Sequence, residues 1–178
     1  FRLRPSLILD LHRIVLDGLS AYAGNYRPGA IEIGLSKHVP PAAHLVPGLV
    51  EEMCDHVTDT FKSAVPLNLC AYVMWRLNWI HPFTDGNGRT SRAVAYYVLC
   101  AKIGYRLPGH ETVPEQIAAD KGPYYRALEA ADESLVGGAL SLNVLEQLLD
   151  GQLAQQLVSA YDDAKAPGAG STKERKLH

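Results

Sequence analysis

Residues 67–103 have the sequence LNLCAYVMWRLNWIHPFTDGNGRTSRAVAYYVLCAKI, and this stretch indicates the architecture most clearly. Its first part, about 67–80, is apolar on nearly every side of a helix, which is typical of a helix buried at the centre of a domain. A second helix is predicted over about 89–103, where Gly104 ends it. A short polar loop with two glycines joins the two helices. The sequence therefore predicts a buried helix, a polar loop and a second helix in direct succession.

Outside this stretch the chain is also mainly helical in pattern. Apolar residues at helical spacing predict further helices near 7–19, 46–61, 123–135 and 141–161. Between the first two, apolar and polar residues alternate from Ile31 to Ser36, which indicates a strand. Pro40 and Pro41 end it, because proline donates no backbone hydrogen bond. We predict a single all-α domain, a helical bundle that carries one small β-hairpin at about residues 26–41.

Length and composition exclude several classes of protein. A chain of 178 residues, 47% hydrophobic and 20% charged, is long enough to fold as one globular domain with its own core. Its formal net charge of −2 gives no basic surface for nucleic acid, and no apolar run is long enough to cross a membrane. The three cysteines form no closely spaced pair, which indicates reduced thiols in a cytoplasmic protein.

The two ends of the chain are expected to differ from the domain between them. The chain begins at Phe1 rather than at methionine, so we expect further sequence upstream. Near the other end, a run of Ala, Pro, Gly, Ser and Thr precedes a basic terminus, which is typical of a tail or an expression remnant. We therefore assign residues 1–163 to the domain and residues 164–178 to the tail.

The loop after the buried helix has the features of an anion-binding site. Pro82 disfavours the helical conformation of the residue before it, so the helix should end there and leave the imidazole of His81 at the mouth of the loop. The turn Asp85-Gly86-Asn87-Gly88 then runs straight into the next helix. Two glycines in such a turn allow several backbone N–H groups to point into one concavity, and the helix N-terminus adds partial positive charge.

Charged residues next to this turn indicate which anion it binds. Arg89 and Arg92 lie three residues apart at the start of the helix, where two positive charges are unfavourable unless an anion is bound. Asp85 would be repelled by a phosphate unless Mg²⁺ lay between them. His81 supplies a group that accepts a proton near neutral pH. Together these residues predict the transfer of a phosphoryl or nucleotidyl group to a hydroxyl.

We assign no function to the histidines outside the loop, because none has a partner at the spacing of zinc ligands. They are His12, His38, His44, His56 and His110. Trp75 and Trp79 lie four residues apart on the buried helix and are expected in the core rather than at a stacking surface.

The loop resembles the sequence motif of the Fic family, H-P-F-x-[D/E]-G-N-G-R-x-x-R, at every fixed position of residues 81–92. Residues 24–41 are similar to the flap of bacterial Fic proteins, and residues 124–128 resemble a stretch found downstream in the family. The likeness covers residues 1 to about 161. It implies an all-α bundle with a hairpin flap, in agreement with the pattern of apolar residues.

The resemblance also implies an activity. Fic proteins usually transfer AMP from ATP to a side-chain hydroxyl of a protein and release pyrophosphate, so ATP and Mg²⁺ are expected to bind. The intact G-N-G sequence favours AMP over the other groups that some members transfer. The family's roles, carried over to the matching positions, make His81 the general base, Asp85 the magnesium ligand, Gly86, Asn87 and Gly88 the holders of the α- and β-phosphates, and Arg89 and Arg92 the clamp on the outer phosphates.

Two further parts of the chain are expected to contact the adenine ring and the target protein. Tyr124 and Tyr125 are adjacent, so one ring should face inward, where it could form a wall of the adenine pocket. The flap, residues 26–41, is expected to dock the target protein by main-chain pairing along about Ala30 to Leu35. The sequence leaves open whether the chain forms a homodimer.

Two other functions stay open as well. The same site could remove AMP from a modified protein, or the domain could be a non-catalytic or toxin–antitoxin interaction module that has kept the fold. The intact His81 and Asp85 favour an enzyme. Many Fic proteins are inhibited by a helix with the pattern [S/T]-x-x-x-E-[G/N], whose glutamate pairs with the second arginine of the motif. This chain contains no match, and we expect that helix upstream of Phe1.

Overall fold

The structure, a computed structural model, describes residues 1–34 and 36–165. Within them the chain forms seven α-helices and, before the second of these, one turn of 3₁₀-helix at Ala43–Leu45. The α-helices are α1 (Pro5–Val15), α2 (Val46–Thr60), α3 (Pro66–Ile80), α4 (Asn87–Ile103), α5 (Val113–Ala119), α6 (Gly122–Val136) and α7 (Asn143–Lys165). The described residues contain no strand, so the predicted all-α class is confirmed.

Proline marks the beginning of most of these helices. Five of the seven have proline at one of their first two positions, where the missing N–H would have no partner within the helix. For that reason, the predicted beginnings of α2, α3 and α6 are within one residue of those observed. Helix α4 begins two residues earlier than predicted, because Asn87 and Gly88 already belong to its first turn.

Helix α5 is absent from the sequence-based prediction. It has only seven residues, which is too short for an apolar period to be recognised. A local signal was nevertheless present, since Thr112 is followed three residues later by Glu115. The Glu115 carboxylate accepts a hydrogen bond from the Thr112 backbone N–H at 2.7 Å, as in a helix capping box.

Helix α3 is the centre of the domain, as predicted. It packs against α2, α4, α6 and α7 and is buried on nearly every side. Its buried residues are Leu69, Cys70, Ala71, Val73, Met74, Trp75, Leu77 and Ile80. Helices α3 and α4 pack closely against each other, so the loop that joins them leaves the core at a fixed place.

The predicted β-hairpin is not seen in the described part of residues 26–41; Leu35 lies outside the described residues. The only local backbone hydrogen bond in that described part runs from the Ser36 N–H to the Ile33 carbonyl at 3.1 Å, across a turn at Gly34. Alternating side chains are not sufficient for a ladder here, because Gly29 and Gly34 weaken a strand and a two-stranded ribbon is only marginally stable. The described part of the flap is therefore irregular in structure, with a turn at Gly34.

The cysteines are unpaired, as predicted. Cys54 and Cys70 are buried in the core, and burial raises the pKa of each thiol to about 12. Cys100 is partly exposed near the end of α4.

Helix α7 extends to Lys165, so the first two residues assigned to the tail, 164 and 165, are helical. The remainder of that tail, 166–178, lies outside the described residues. Within the described residues, no helix combines the length and the apolar character that crossing a bilayer requires.

Candidate active site

His81 lies at the junction of α3 and the loop. The helix ends at Ile80, as Pro82 predicts, and His81 has left-handed backbone angles of φ 51° and ψ 60°. This conformation costs a residue with a Cβ atom about 1–2 kcal/mol. The backbone N–H of His81 completes the helix by donating to the Leu77 carbonyl at 3.0 Å, and its own carbonyl accepts a hydrogen bond from Arg27 Nε at 2.8 Å. The imidazole is therefore carried by a backbone held on both sides.

The contact at Nδ1 indicates the tautomer of the His81 ring. Its Nδ1 lies 3.3 Å from the Asn78 carbonyl oxygen, which can only accept, so in the neutral ring Nδ1 carries the hydrogen and Nε2 carries the lone pair. Burial lowers the pKa of His81, and the nearby positive charge of Arg27 lowers it further. The neutral form, which is the form that can act as a base, therefore predominates at pH 7.

The turn before α4 is fixed by a glycine and by the side chain of Asn87. Gly86 has φ +74°, and a Cβ atom there would lie 2.8 Å from the Leu16 side chain, so both conformation and packing require glycine. The Asn87 side chain is held within the loop, since it accepts from the Phe83 N–H at 2.9 Å and donates to the Phe83 carbonyl at 2.8 Å. This pair of hydrogen bonds fixes the turn at the point where α4 begins.

The two arginines differ in their surroundings. Arg89 is exposed, and its Nη2 lies 3.2 Å from Asp85 Oδ2. Arg92 is only 7% exposed and forms an ion pair with no carboxylate of the described residues. Its Nη1 lies close against Gly88, because a Cβ atom at that position would come within 3.3 Å. A buried guanidinium without an anionic partner, next to a helix N-terminus, is a strong site for an anion.

A groove over the loop brings most of the predicted site residues together. It consists of two adjoining cavities of about 310 and 370 Å³, which share His81, Gly88, Tyr125 and the flap residues Ile33 and Gly34. The smaller cavity is cationic, and its lining includes His81, Asp85, Gly86, Asn87, Gly88, Arg89, Arg92 and Tyr125. The larger one is mainly apolar and includes Trp75, Trp79 and Leu128. His81 lies on the boundary between them.

The two tyrosines have different positions. Tyr124 is 1% exposed, and its hydroxyl accepts a hydrogen bond from Asn78 Nδ2 at 2.7 Å, below the groove rather than in its lining. Burial raises the pKa of Tyr124 to about 12. Tyr125 is exposed and lines both cavities. As expected for adjacent residues, one ring faces inward and the other outward. The inward ring of Tyr124, however, contacts Asn78, and it is the outward ring of Tyr125 that borders the groove.

His12, to which the sequence assigned no function, supports the loop from α1. Its ring is completely buried, stacks on Phe83 with centroids 3.6 Å apart, and accepts a hydrogen bond at Nδ1 from the Gly24 N–H at 2.9 Å. Its Nε2 therefore carries the hydrogen and donates to the Asp85 carbonyl at 3.1 Å. Burial lowers the pKa of His12, which agrees with a neutral ring. Its spacing of four residues from the buried Ile8 was the available signal.

Two further cations were also missed. Lys121, just before α6, lines the cationic cavity with the two arginines. Arg27 is 3% exposed and lies between the flap and the loop. Neither stands near the motif in sequence, so spacing gives no indication of either.

The chain alone offers little to a metal ion. Within the described residues, no three His, Cys, Asp or Glu side chains form a group that could hold one. Asp85 is a single, largely exposed carboxylate beside the anion site. One carboxylate next to bound phosphates fits Mg²⁺, which commonly binds proteins through one or two carboxylates and substrate phosphates.

The chain is similar to known proteins over most of its length. Residues 2–99 match the model of the Fic/DOC family. Over 128 residues, 71% of this chain, it is 34% identical to protein adenylyltransferase Fic of Drosophila willistoni and 32% identical to that of Drosophila melanogaster. In each case, the match covers 24% of the relative. The chain thus spans about a quarter of the length of these curated relatives.

Solved structures agree with the architecture. A Fic family protein from Desulfovibrio desulfuricans G20 superposes with a TM-score of 0.72 and 28% identity, covering 92% of this chain and 48% of that one. Fic-1 from C. elegans superposes with a TM-score of 0.69 and 22% identity, covering 92% of this chain and 45% of that one. The second likeness concerns the fold alone.

Proposed function

Because the chain belongs to the Fic/DOC family, we propose that it transfers AMP from ATP to a side-chain hydroxyl of a target protein and releases pyrophosphate. The observation that carries this proposal is the buried guanidinium of Arg92, which has no carboxylate partner in the described residues and borders the same cavity as His81. A site that combines a base with an unneutralised cation suits a reaction in which a hydroxyl attacks a phosphate.

The triphosphate is proposed to occupy the cationic cavity. Arg89, Arg92 and Lys121 border it, and the N–H groups of the first turn of α4 have no helical acceptor. A polyphosphate would reverse the unfavourable position of two arginines at a helix N-terminus, and guanidinium groups match phosphate oxygens well. Arg89 would exchange its carboxylate partner for a phosphate.

Asp85 is the residue that would hold Mg²⁺ together with the nucleotide. The ion would neutralise charge on the phosphates and on the departing pyrophosphate. Asp85 is available for this role because its ion pair with Arg89 is exposed, and exposed pairs contribute only about 0–1 kcal/mol.

The nucleoside is proposed to enter the adjoining apolar cavity. Tyr125, Trp79 and Leu128 offer apolar surface to a base, whereas Tyr124 lies beneath them. Asp132 also lines this cavity, and one of its carboxylate oxygens is held by the Trp75 indole N–H at 2.8 Å. A carboxylate only accepts hydrogen bonds, so it suits the amino group of adenine.

The chain's own residues would carry out two tasks: accepting a proton and stabilising the charge of the phosphates. His81 Nε2 accepts the proton of the target hydroxyl, whose oxygen forms a bond to the α-phosphorus. The bond from that phosphorus to the bridging oxygen of the β-phosphate breaks, and pyrophosphate leaves. The backbone N–H groups and arginines stabilise the charge on the phosphates throughout.

A labelling experiment tests the function. The protein is incubated with Mg²⁺, a cell lysate and ATP labelled either at the α- or at the γ-phosphate, and labelled proteins are detected after electrophoresis. Because kinases of the lysate label proteins from γ-labelled ATP, only label above that of a lysate incubated without the added chain counts. AMP transfer predicts such additional label from α-labelled ATP only, and none when His81→Ala replaces the parent chain. Additional label from the γ-position would indicate phosphate transfer instead, and no additional label from either would count against the proposed reaction.

A further inference from the structure

Arg27 joins the flap to the loop through four backbone contacts. Its Nε donates to the His81 carbonyl at 2.8 Å, and its backbone N–H donates to the Pro82 carbonyl at 2.9 Å. One terminal nitrogen donates to the Gly29 carbonyl at 2.7 Å, and the other donates to the Pro41 carbonyl. Arg27 therefore contacts the two sides of the flap and the first two residues of the loop.

The chemistry of this contact is unusual for a residue that only closes a loop. Arg27 is 3% exposed, and its guanidinium forms no ion pair with a carboxylate of the described residues. All its recorded side-chain acceptors are neutral carbonyl groups, so burial of the charge is poorly compensated. The guanidinium donates from three different nitrogens in one plane, which suits carbonyls that lie on separate segments around it. The three N–H donors of a lysine are all on one nitrogen, so they match this arrangement poorly.

The backbone of His81, which Arg27 contacts, is in an uncommon conformation. His81 has left-handed backbone angles, and the direction of its side chain follows from them. Surrounding contacts must hold such a strained conformation. Arg27 donates a hydrogen bond to the carbonyl of His81 itself. The anion-binding turn is held separately, by the hydrogen bonds of His12 and Asn87.

We infer that Arg27 is a positioning residue, which holds His81 in place for proton transfer and couples its position to the flap. This inference rests on the proposed function, because it assigns to His81 the role of base. It predicts a specific effect: loss of the Arg27 fork lowers the rate of transfer and leaves the affinity for the nucleotide unchanged, since Arg27 lines neither cavity.

The experiment compares Arg27→Lys and Arg27→Met with a control, Arg106→Met, in which the arginine is exposed. Three quantities are measured for each: the affinity for ATP, the kcat of protein labelling at saturating ATP, and amide hydrogen exchange. For both Arg27 variants we expect kcat to fall at least 10-fold, with the Kd for ATP within twofold of the parent. Exchange should become faster in the flap and in residues 81–83 together, while α7 is unchanged.

Three results would contradict the role inferred for Arg27. A kcat within twofold of the parent, or unchanged exchange in residues 81–83, would overturn the inference. So would an Arg27→Lys chain that fails to fold, because the lysine keeps the charge and that result would assign Arg27 to stability. If the parent chain itself transfers no label, the proposed function fails, and the exchange measurement still decides whether Arg27 holds the His81 backbone.

Discussion

The Nε2 atom of His12 lies 3.1 Å from the carbonyl oxygen of Asp85, although 73 residues separate the two in the sequence. The same ring accepts a hydrogen bond from Gly24 and stacks on Phe83. The first helix of the domain therefore supports the loop that carries the candidate active site. Substitutions in α1 should affect nucleotide binding even though no part of α1 lines the groove.

We predict that His12→Ala lowers the free energy of unfolding by about 2–4 kcal/mol. The Gly24 N–H and the Asp85 carbonyl both lose their partner, and each buried unsatisfied group costs roughly 1–3 kcal/mol. His12→Phe keeps the stacking on Phe83 and should be destabilised less. Urea denaturation at pH 7.5 measures the effect, with exposed His44→Ala as the control. Equal stability of His12→Ala and the control would contradict the bridging role.

Arg92→Met tests the buried cation. Methionine keeps the aliphatic stem and removes the charge, so the nucleotide-free protein should be no less stable than the parent. The affinity for ATP should fall about 10- to 100-fold, because a hydrogen bond to a charged group contributes about 1.5–3 kcal/mol. Calorimetric titration with ATP and thermal unfolding give the two quantities. A clear drop in melting temperature without nucleotide would reveal a structural partner for Arg92.

The acid side of the pH–rate profile should report His81. Its pKa in the folded protein lies below 6.5, so the ring stays neutral and able to accept a proton as the pH falls through 6.5. We therefore expect kcat/KM, which reports the groups of the free enzyme, to decline only at a lower pH. The same shift means that the unfolded chain binds the proton more readily, so the stability contributed by His81 is complete well above pH 6.5 and decreases below it. A midpoint above 6.5 would show that another group limits the rate.

The flap offers free main-chain groups to a target. Within the described residues, the N–H groups of residues 30–33 have no backbone partner. Ile33→Pro removes one donor, and we predict that kcat/KM for a protein target falls about 10-fold, as the loss of roughly one hydrogen bond implies. Ile33→Val keeps the N–H and serves as the control. Because Ile33 also lines the groove, ATP affinity is measured in both variants. Target labelling at the parental rate would place docking elsewhere.

The parts of the molecule that depend on local sequence were predictable. The buried α3, the polar loop and the start of α4 follow from apolar spacing, proline and glycine. The predicted β-hairpin of the flap was wrong. Alternating apolar and polar residues indicate which side chains could share a face, but not whether two strands pair stably. The supporting roles of His12 and Arg27 could not be predicted, because their partners lie 73 and 54 residues away and no spacing rule links such positions. Between Tyr124 and Tyr125, the sequence predicted that one ring faces inward but not what lies there.

The distribution of thiols makes the protein suitable for distance measurements without added cysteines. With a pKa of about 12, Cys54 and Cys70 are almost entirely protonated at neutral pH, so a maleimide dye should react at the partly exposed Cys100 alone. Cys100 and Asn87 are on the same helix, which separates them by about 20 Å along its axis. A fluorophore at Cys100 is therefore well placed for energy transfer from a fluorescent nucleotide, so the arrival and departure of the nucleotide can be followed in real time.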